Sequence, residues 1–331
     1  CRLISTAFLR YSVSNNNYMD AALMDRWLAF IFVASLSACG GSSNSSSLNA
    51  ANDSDTNGEM TSSPGGGGNA AVPGSPTSFG VPVANQIRPG VEISADGSGC
   101  TGNFLFSPNA QTVYIGVAAH CFSEDTNDGI DACETNNLPI GFNQVVIENA
   151  TQAGEIVYSS WRAMQESGET PGSNACVYND FALVKIHPDD LANIHPAGFA
   201  FGGPVSLRTG LAAVGDDVFA YGRSPFHFGQ RNLEAKSGSI TGVSGDGWAY
   251  QIQTDNPGVP GDSGGPIYGP NGEALAVLSV LSAGVGGLSV INVSNGVTNL
   301  DRALRYAIDG GFINANTKVL LWPDFYPAGD F

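Results

Sequence analysis

The chain has 331 residues, with 13 Lys+Arg against 30 Asp+Glu, a formal net charge of −17 and an isoelectric point near 4.3. Phosphate binding needs clustered cations, so nucleic acid is not an expected partner; a hydrophobic share of 42% excludes a wholly disordered chain, and no apolar run reaches the ~18 residues that a membrane-spanning helix needs. Few charges (13%) beside 43 Gly and 18 Pro point to a secreted, turn-rich β protein rather than a helical bundle.

Residue 1 is Cys1, and the first plausible starts are Met19 and Met24, so residues 1–38 read as an upstream segment and signal peptide. From Met24, Arg26 gives a minimal positive n-region, weakened by Asp25, and Trp27 to Leu36 is an apolar stretch of signal-peptide length. It ends in Leu36-Ser37-Ala38-Cys39. Small residues let the chain lie extended in a peptidase groove, and the thiol that follows can carry lipid. This stretch resembles the lipobox of bacterial lipoproteins, which implies cleavage before Cys39, acylation of its sulfur and attachment to a membrane. Gly40 follows, not an Asp that would favour inner-membrane retention, so the expected place is the outer membrane or cell surface. An ordinary secretory signal with an incidental Cys is the alternative. Residues 39–86 are rich in Ser, Asn, Gly and Pro and cannot bury enough apolar surface to offset their ordering entropy. They read as a flexible, lipid-anchored linker. Gly65–Gly68 is not a phosphate loop, because no Gly-Lys-Ser/Thr follows.

From Ile87 the composition changes, and residues 87–312 read as the folded domain, with 313–331 as an apolar tail of unassigned role. Expected strands are Asn103–Phe106, Thr112–Val117, Gln144–Glu148, Glu155–Ser159 and Phe181–Ile186. A second set is Asp217–Tyr221, Gly238–Val243, Trp248–Thr254, Ala274–Leu281 and Leu288–Val293. They are short and bounded by turn residues, which favours a barrel or sandwich. Only Asn299–Ile308 reads as clearly helical, with Leu300, Leu304 and Ala307 on one face and Gly310-Gly311 as the stop. Four cysteines remain for the folded part, Cys100, Cys121, Cys133 and Cys176, and they allow three pairings.

Three stretches carry candidate chemistry. Val117-Ala118-Ala119-His120-Cys121 holds a His among small apolar residues; Asn179-Asp180-Phe181-Ala182-Leu183 opens an apolar strand with an acid. Pro260-Gly261-Asp262-Ser263-Gly264-Gly265-Pro266 surrounds a Ser with glycines, so the backbone can turn tightly and aim N–H groups at whatever the hydroxyl attacks. A Ser hydroxyl is a poor nucleophile near neutral pH; it needs a base, and the base needs an acid to orient it. His120, Asp180 and Ser263 supply the three, in the order His, Asp, Ser.

These stretches together resemble the signatures of the chymotrypsin/trypsin-like serine protease family, over about residues 87–310. The resemblance implies an all-β fold of two six-stranded antiparallel β-barrels with a C-terminal helix, and a site in the cleft between them. It implies hydrolysis of peptide bonds in protein or peptide substrates through an acyl-enzyme, without cofactor or metal. His120 would be the base, Asp180 its orienter, Ser263 the nucleophile, and the backbone N–H groups of Gly261 and Ser263 the oxyanion hole. It also implies a Cys100–Cys121 disulfide and leaves Cys133–Cys176. The alternative is a catalytically silent, protease-like binding or adhesion lipoprotein.

Animal members of the family pair the Asp beside the nucleophile with a freed N-terminus, and no such N-terminus is present here. Ala220-Tyr221-Gly222-Arg223-Ser224 resembles a segment of bacterial members such as alpha-lytic protease in which an Arg does this work, so Arg223 is the expected partner of Asp262, with Arg231 as competitor. The resemblance also implies a pocket floor near Pro257, with no Asp there, and a pocket wall around Ser279, Val280 and Leu281, whose apolar residues suggest an apolar or modest-sized side chain. His187 and His195 are expected at the surface, and His227 in the cleft or packed among aromatic residues. The acidic loop 125–131 lacks calcium-loop spacing.

Overall fold

The computed structural model describes residues 79–124, 131–283 and 293–329. The expected signal peptide, Cys39, most of the linker and nearly all of the acidic loop lie outside them.

The first half begins with a hairpin of β1 (Glu92–Ala95) and β2 (Ser98–Thr101). Its turn, Asp96-Gly97, has positive φ at both residues (48° and 84°), which matches the twist of the flanking strands. The chain continues into β3 (Leu105–Asn109) and β4 (Thr112–Val117), then β5 (Val146–Ile147), β6 (Glu155–Ser159) and β7 (Ala182–Lys185). Hydrogen-bonded order is β2-β1-β5 in one sheet and β3-β4-β7-β6 in the other. An isolated bridge between Val145 and Gly154 joins the two on one side, and on the other the chain passes from β2 into β3. Phe104, Leu105, Ile115, Val117, Ile156, Leu183 and Val184 are buried without exposure.

The second half contains β8 (Ser206–Leu207), β9 (Asp217–Tyr221), β10 (Ala235–Ser244), β11 (Ala249–Thr254), β12 (Pro266–Tyr268), β13 (Glu273–Ala283) and β14 (Val293–Asn299). Their order β12-β9-β10-β11-β14-β13, with β12 also paired to β13, is a closed antiparallel ring of six. Val218, Ile240, Tyr250, Ile252, Ile267, Leu275 and Val297 form its core. The fold is therefore all-β and double-barrelled, as expected. The strand expected at Leu288–Val293 falls mostly outside the described residues, and the observed β14 begins at Val293.

Helices connect and finish the barrels. Between β6 and β7 lie α1 (Ser160–Ser167) and α2 (Asn174–Tyr178), α3 (Arg231–Glu234) precedes β10, and α4 (Leu300–Asp309) follows β14. α4 starts one residue later than expected because Asn299 is its cap, accepting from the Arg302 N–H at 3.3 Å. Leu300, Ala303, Leu304 and Ala307 give it a buried stripe. α1 was not expected. Its eight residues carry no capping side-chain bond, and burial of Trp161, Ala163 and Met164 holds it until Gly168 ends it at φ 67°.

Both disulfides have the expected partners, Cys100–Cys121 and Cys133–Cys176, with S–S distances of 2.07 and 1.93 Å. They fit an oxidising compartment. No helix among the described residues is long and apolar enough to cross a membrane. The tail packs rather than dangles. β15 (Lys318–Val319) extends the β3 sheet, and Phe325 lies 5.4 Å from Phe219 and 5.9 Å from Tyr268, ring to ring, on the second barrel. His195, expected at the surface, is buried; its Nε2 meets the Gly80 carbonyl at 2.9 Å and its ring packs on Trp322.

Candidate active site

The register of the first barrel brings His120 and Asp180 together. β4 and β7 are antiparallel, with Val117 opposite Ala182. The end of one strand therefore lies beside the start of the other, and His120 lies three residues past Val117 while Asp180 lies two before Ala182. Val117, Ala118 and Ala119 are completely buried, and the next residue but one is Cys121, tied to Cys100 of β2. The turn bearing His120 has little freedom to move.

Asp180 is almost fully buried and accepts three hydrogen bonds. Its Oδ1 receives the His120 backbone N–H at 2.9 Å; its Oδ2 receives His120 Nδ1 at 2.6 Å and the Ser279 hydroxyl at 2.5 Å. An ionised carboxylate can only accept, so this network assigns the ring proton to Nδ1 and leaves Nε2 as the acceptor. Burial disfavours both charged forms. The attraction and hydrogen bonding between the partners outweigh it, so His120 titrates above its ordinary value and Asp180 below. Ser279, expected in the pocket wall, stands against Asp180. The side chains of Val280 and Leu281 lie outside the described residues.

The Ser263 loop sits directly on this turn. Gly264 has φ 85°, and a Cβ there would lie 2.5 Å from the Thr101 carbonyl oxygen, 2.7 Å from Val117 Cγ2 and 2.9 Å from the Ala118 nitrogen. Only glycine permits that approach. The Thr101 N–H donates to the Ser263 carbonyl at 2.8 Å, the Thr101 hydroxyl to the Gly261 carbonyl at 2.8 Å, and Asn103 Nδ2 to the Gly264 carbonyl at 3.0 Å. Ser263 and His120 are both half-exposed. Asp262, Gly264 and Gly265 direct their N–H groups to Val259, Leu278 and Asp262 carbonyls. Among the described residues no acceptor takes the N–H of Gly261 or Ser263. Behind the loop, Asn295 of β14, which the motifs did not reveal, accepts the Gly258 N–H at 2.8 Å and is itself buried.

The expected Arg223–Asp262 pair does not form. Arg223 Nη2 bonds Glu148 Oε1 at 2.6 Å, and Nη1 lies 3.3 Å from the Tyr221 hydroxyl and 3.9 Å from Glu234. Arg231 is exposed and has no ion pair with Asp262 among the described residues. Asp262, with no exposure, instead has Lys236 Nζ at 3.1 Å from Oδ2 and His227 Nε2 at 2.8 and 2.9 Å from its two oxygens. The N–H groups of Ser224 and Val259 complete its shell, each at 3.1 Å. The reason is geometric. Asp262 presses against the backbone at Gly222, where a Cβ would collide with the carboxylate. The register places Lys236 opposite Ala220, two residues from that contact, and Lys236 is buried. Lys236 also donates to the Leu233 and Glu234 carbonyls at 2.8 and 3.2 Å, so its three donors are all engaged. Burial lowers its pKa, and Asp262 opposes that shift.

Among the described residues, two groupings of His, Cys and Asp atoms approach metal-binding spacing, Cys100-His120-Cys121 and Asp131-Cys133-Cys176. In both, the sulfurs are spent in disulfides and offer no thiolate.

Residues 100–277 match the family described as the trypsin-like peptidase domain. The sequence has no match among curated proteins. Among solved structures it is similar to Protease A of Thermobifida fusca, at 16% identity and a TM-score of 0.45 over 71% of this chain and 98% of that one. It is similar also to Nocardiopsis protease, at 17% identity and a TM-score of 0.42 over 70% and 98%. A glutamic acid specific serine protease gives 20% identity and a TM-score of 0.42 over 70% and 100%. With more than half of its length matched by that domain, the chain belongs to the trypsin-like peptidase family.

Proposed function

We propose that the protein is a serine endopeptidase that cleaves protein or peptide substrates with Ser263 as nucleophile. The observation that carries this reading is Asp180 gripping both the ring and the backbone of His120, in the turn on which the Ser263 loop is seated. With Nδ1 committed to Asp180, His120 Nε2 takes the Ser263 proton as Oγ attacks the scissile carbonyl. The oxyanion that develops meets the N–H groups of Gly261 and Ser263, donors that count most in the transition state. His120 then passes its proton to the leaving amine, an acyl-enzyme remains, and water attacks it by the same path in reverse.

A fluorophosphonate probe tests the assignment. Ser263 is expected to carry the label, and Ser263→Ala or His120→Ala to abolish labelling; label found elsewhere, or none on the wild-type protein, removes the reading and leaves a silent binding protein. The base must be neutral to act, so activity rises with pH through the His120 titration. Asp180 holds that titration above the ordinary His value, so the rise in kcat/KM is expected on the alkaline side of ~6.5. A profile flat from about pH 6 to 8 would speak against His120 as base.

The two disulfides, together with the Leu36-Ser37-Ala38-Cys39 stretch, support export and a lipid anchor at Cys39. Mass spectrometry of the mature N-terminus, expected to begin at an acylated Cys39, checks this.

A further inference from the structure

A cavity of about 180 Å³ opens beside Gly261, whose N–H belongs to the proposed oxyanion hole, and beside Cys100 of the disulfide that flanks His120. Cys121 Sγ lies 4.0 Å from the Ser263 carbonyl, so this disulfide runs alongside the nucleophile loop. β13, the expected wall for the side chain before the scissile bond, contributes none of its described residues to the cavity. The cavity therefore lies toward the leaving group, the half of the substrate that His120 protonates. Its volume is below the ~300 Å³ at which drug-sized sites begin, so it has room for one side chain.

Pro260, Phe226 and Cys100 give it apolar walls. One hydroxyl fixes two of them: Ser224 Oγ donates to the Pro260 carbonyl at 2.6 Å and accepts the Phe226 N–H at 3.1 Å. The next residue, His227, is held on the buried Asp262 carboxylate. The charge at the cavity is negative. Arg223 lines it, but its guanidinium is spent on Glu148 at 2.6 Å and Glu234 at 3.9 Å. Glu148 in turn accepts the Glu92 N–H at 3.0 Å. Glu92 of β1 also lines the cavity; it is exposed, and its carboxylate has no hydrogen bond or ion pair among the described residues. Arg231 lines the neighbouring cavity and not this one.

We propose, on the basis of Ser263 as nucleophile, that this cavity selects the residue immediately after the scissile bond, that it takes Arg or Lys, and that Glu92 is the specificity-determining residue. A long basic side chain lays its methylene stem along apolar surface and keeps its charged head at the rim. Here the stem lies along Pro260 and the disulfide. The head passes the Phe226 ring, whose face attracts a cation, and meets the Glu92 carboxylate. An acidic side chain meets like charge at the same place, and an apolar one gains the walls alone.

Acyl transfer reads this side of the cleft by itself. Benzyloxycarbonyl-alanine 4-nitrophenyl ester acylates Ser263, and the acyl-enzyme is offered arginine amide, norleucine amide and glutamate α-amide at equal concentration. The amine nitrogen attacks the ester carbonyl, a C–N bond replaces the C–Oγ bond, and the amine proton passes through His120 to Ser263 Oγ. Mass spectrometry counts the three products, with the Ser263→Ala protein as the blank for uncatalysed aminolysis. Arginine amide is expected to capture at least about threefold more acyl group than norleucine amide, the scale of a partly exposed ion pair, and about tenfold more than glutamate α-amide, where repulsion adds to the lost attraction. Glu92→Gln, at an exposed position, and salt at about 1 M, which screens the pair, are each expected to bring the arginine-to-norleucine ratio toward one. A ratio of about one or below in the wild-type protein, a ratio unchanged by Glu92→Gln, or ester turnover without transfer to arginine amide overturns the proposal and leaves Ser263 as nucleophile in place. Ester turnover no faster than that of Ser263→Ala removes the nucleophile, and the proposal with it.

Discussion

Asp180→Asn is expected to lower turnover of a peptide substrate about 10⁴-fold, the scale known for this exchange in the Ser-His-Asp template, with little change in melting temperature. The carboxylate now accepts three hydrogen bonds, from the His120 N–H, His120 Nδ1 and the Ser279 hydroxyl. An amide has one oxygen and one NH₂. If its oxygen keeps the backbone N–H, its NH₂ faces Nδ1, which must then be the acceptor. The ring proton moves to Nε2, and in the proposed triad it then faces Ser263 and blocks proton removal. The attraction that raises the His120 pKa also disappears, so any residual activity should titrate at lower pH than the wild type. Rates measured across pH on a chromogenic peptide read both effects. Turnover within about tenfold of wild type would mean that Asp180 does not set the imidazole tautomer.

Lys236→Met is expected to destabilise the protein by about 3–5 kcal/mol and to abolish hydrolysis. Removing one partner leaves a fully buried carboxylate with a weaker shell, and such losses are of that size. For a domain of this size the melting temperature should fall by roughly 6–20 °C. Asp262 lies between the two residues whose N–H groups form the proposed oxyanion hole, so any movement to rehydrate it misaligns both donors. Adding Asp262→Asn to Lys236→Met removes the stranded charge and should recover most of the lost stability. Thermal melts of the two single variants and the double variant measure this coupling. Strictly additive losses would show that Lys236 and Asp262 do not act as a pair.

The candidate catalytic residues could be named from the sequence because their motifs impose local demands. Glycines at 261 and 264 are needed wherever φ is positive or the backbone must touch a neighbour, and small residues before His120 suit a turn with no room around it. Thr112–Val117, Glu155–Ser159 and Asp217–Tyr221 were also legible to the residue, since apolar runs cut off by turn residues end where the backbone can bend. The β1–β2 hairpin was not anticipated, although Asp96-Gly97 is a strong turn signal; Ser98–Thr101 has too little hydrophobic alternation to read as a strand. α1 was missed because tertiary burial, not its own eight residues, holds it together.

Residue types and their order, then, were written in the linear chain: a hydroxyl, an imidazole and an acid with the small residues that let them be approached. Which groups face each other was decided by folding. Asp262 takes Lys236 and His227 rather than Arg223 because strand register and the bare backbone at Gly222 set the distances. Charge pairing acts over a few ångströms and is blind to sequence separation, so local pattern could name a need for a cation beside Asp262 without naming the residue.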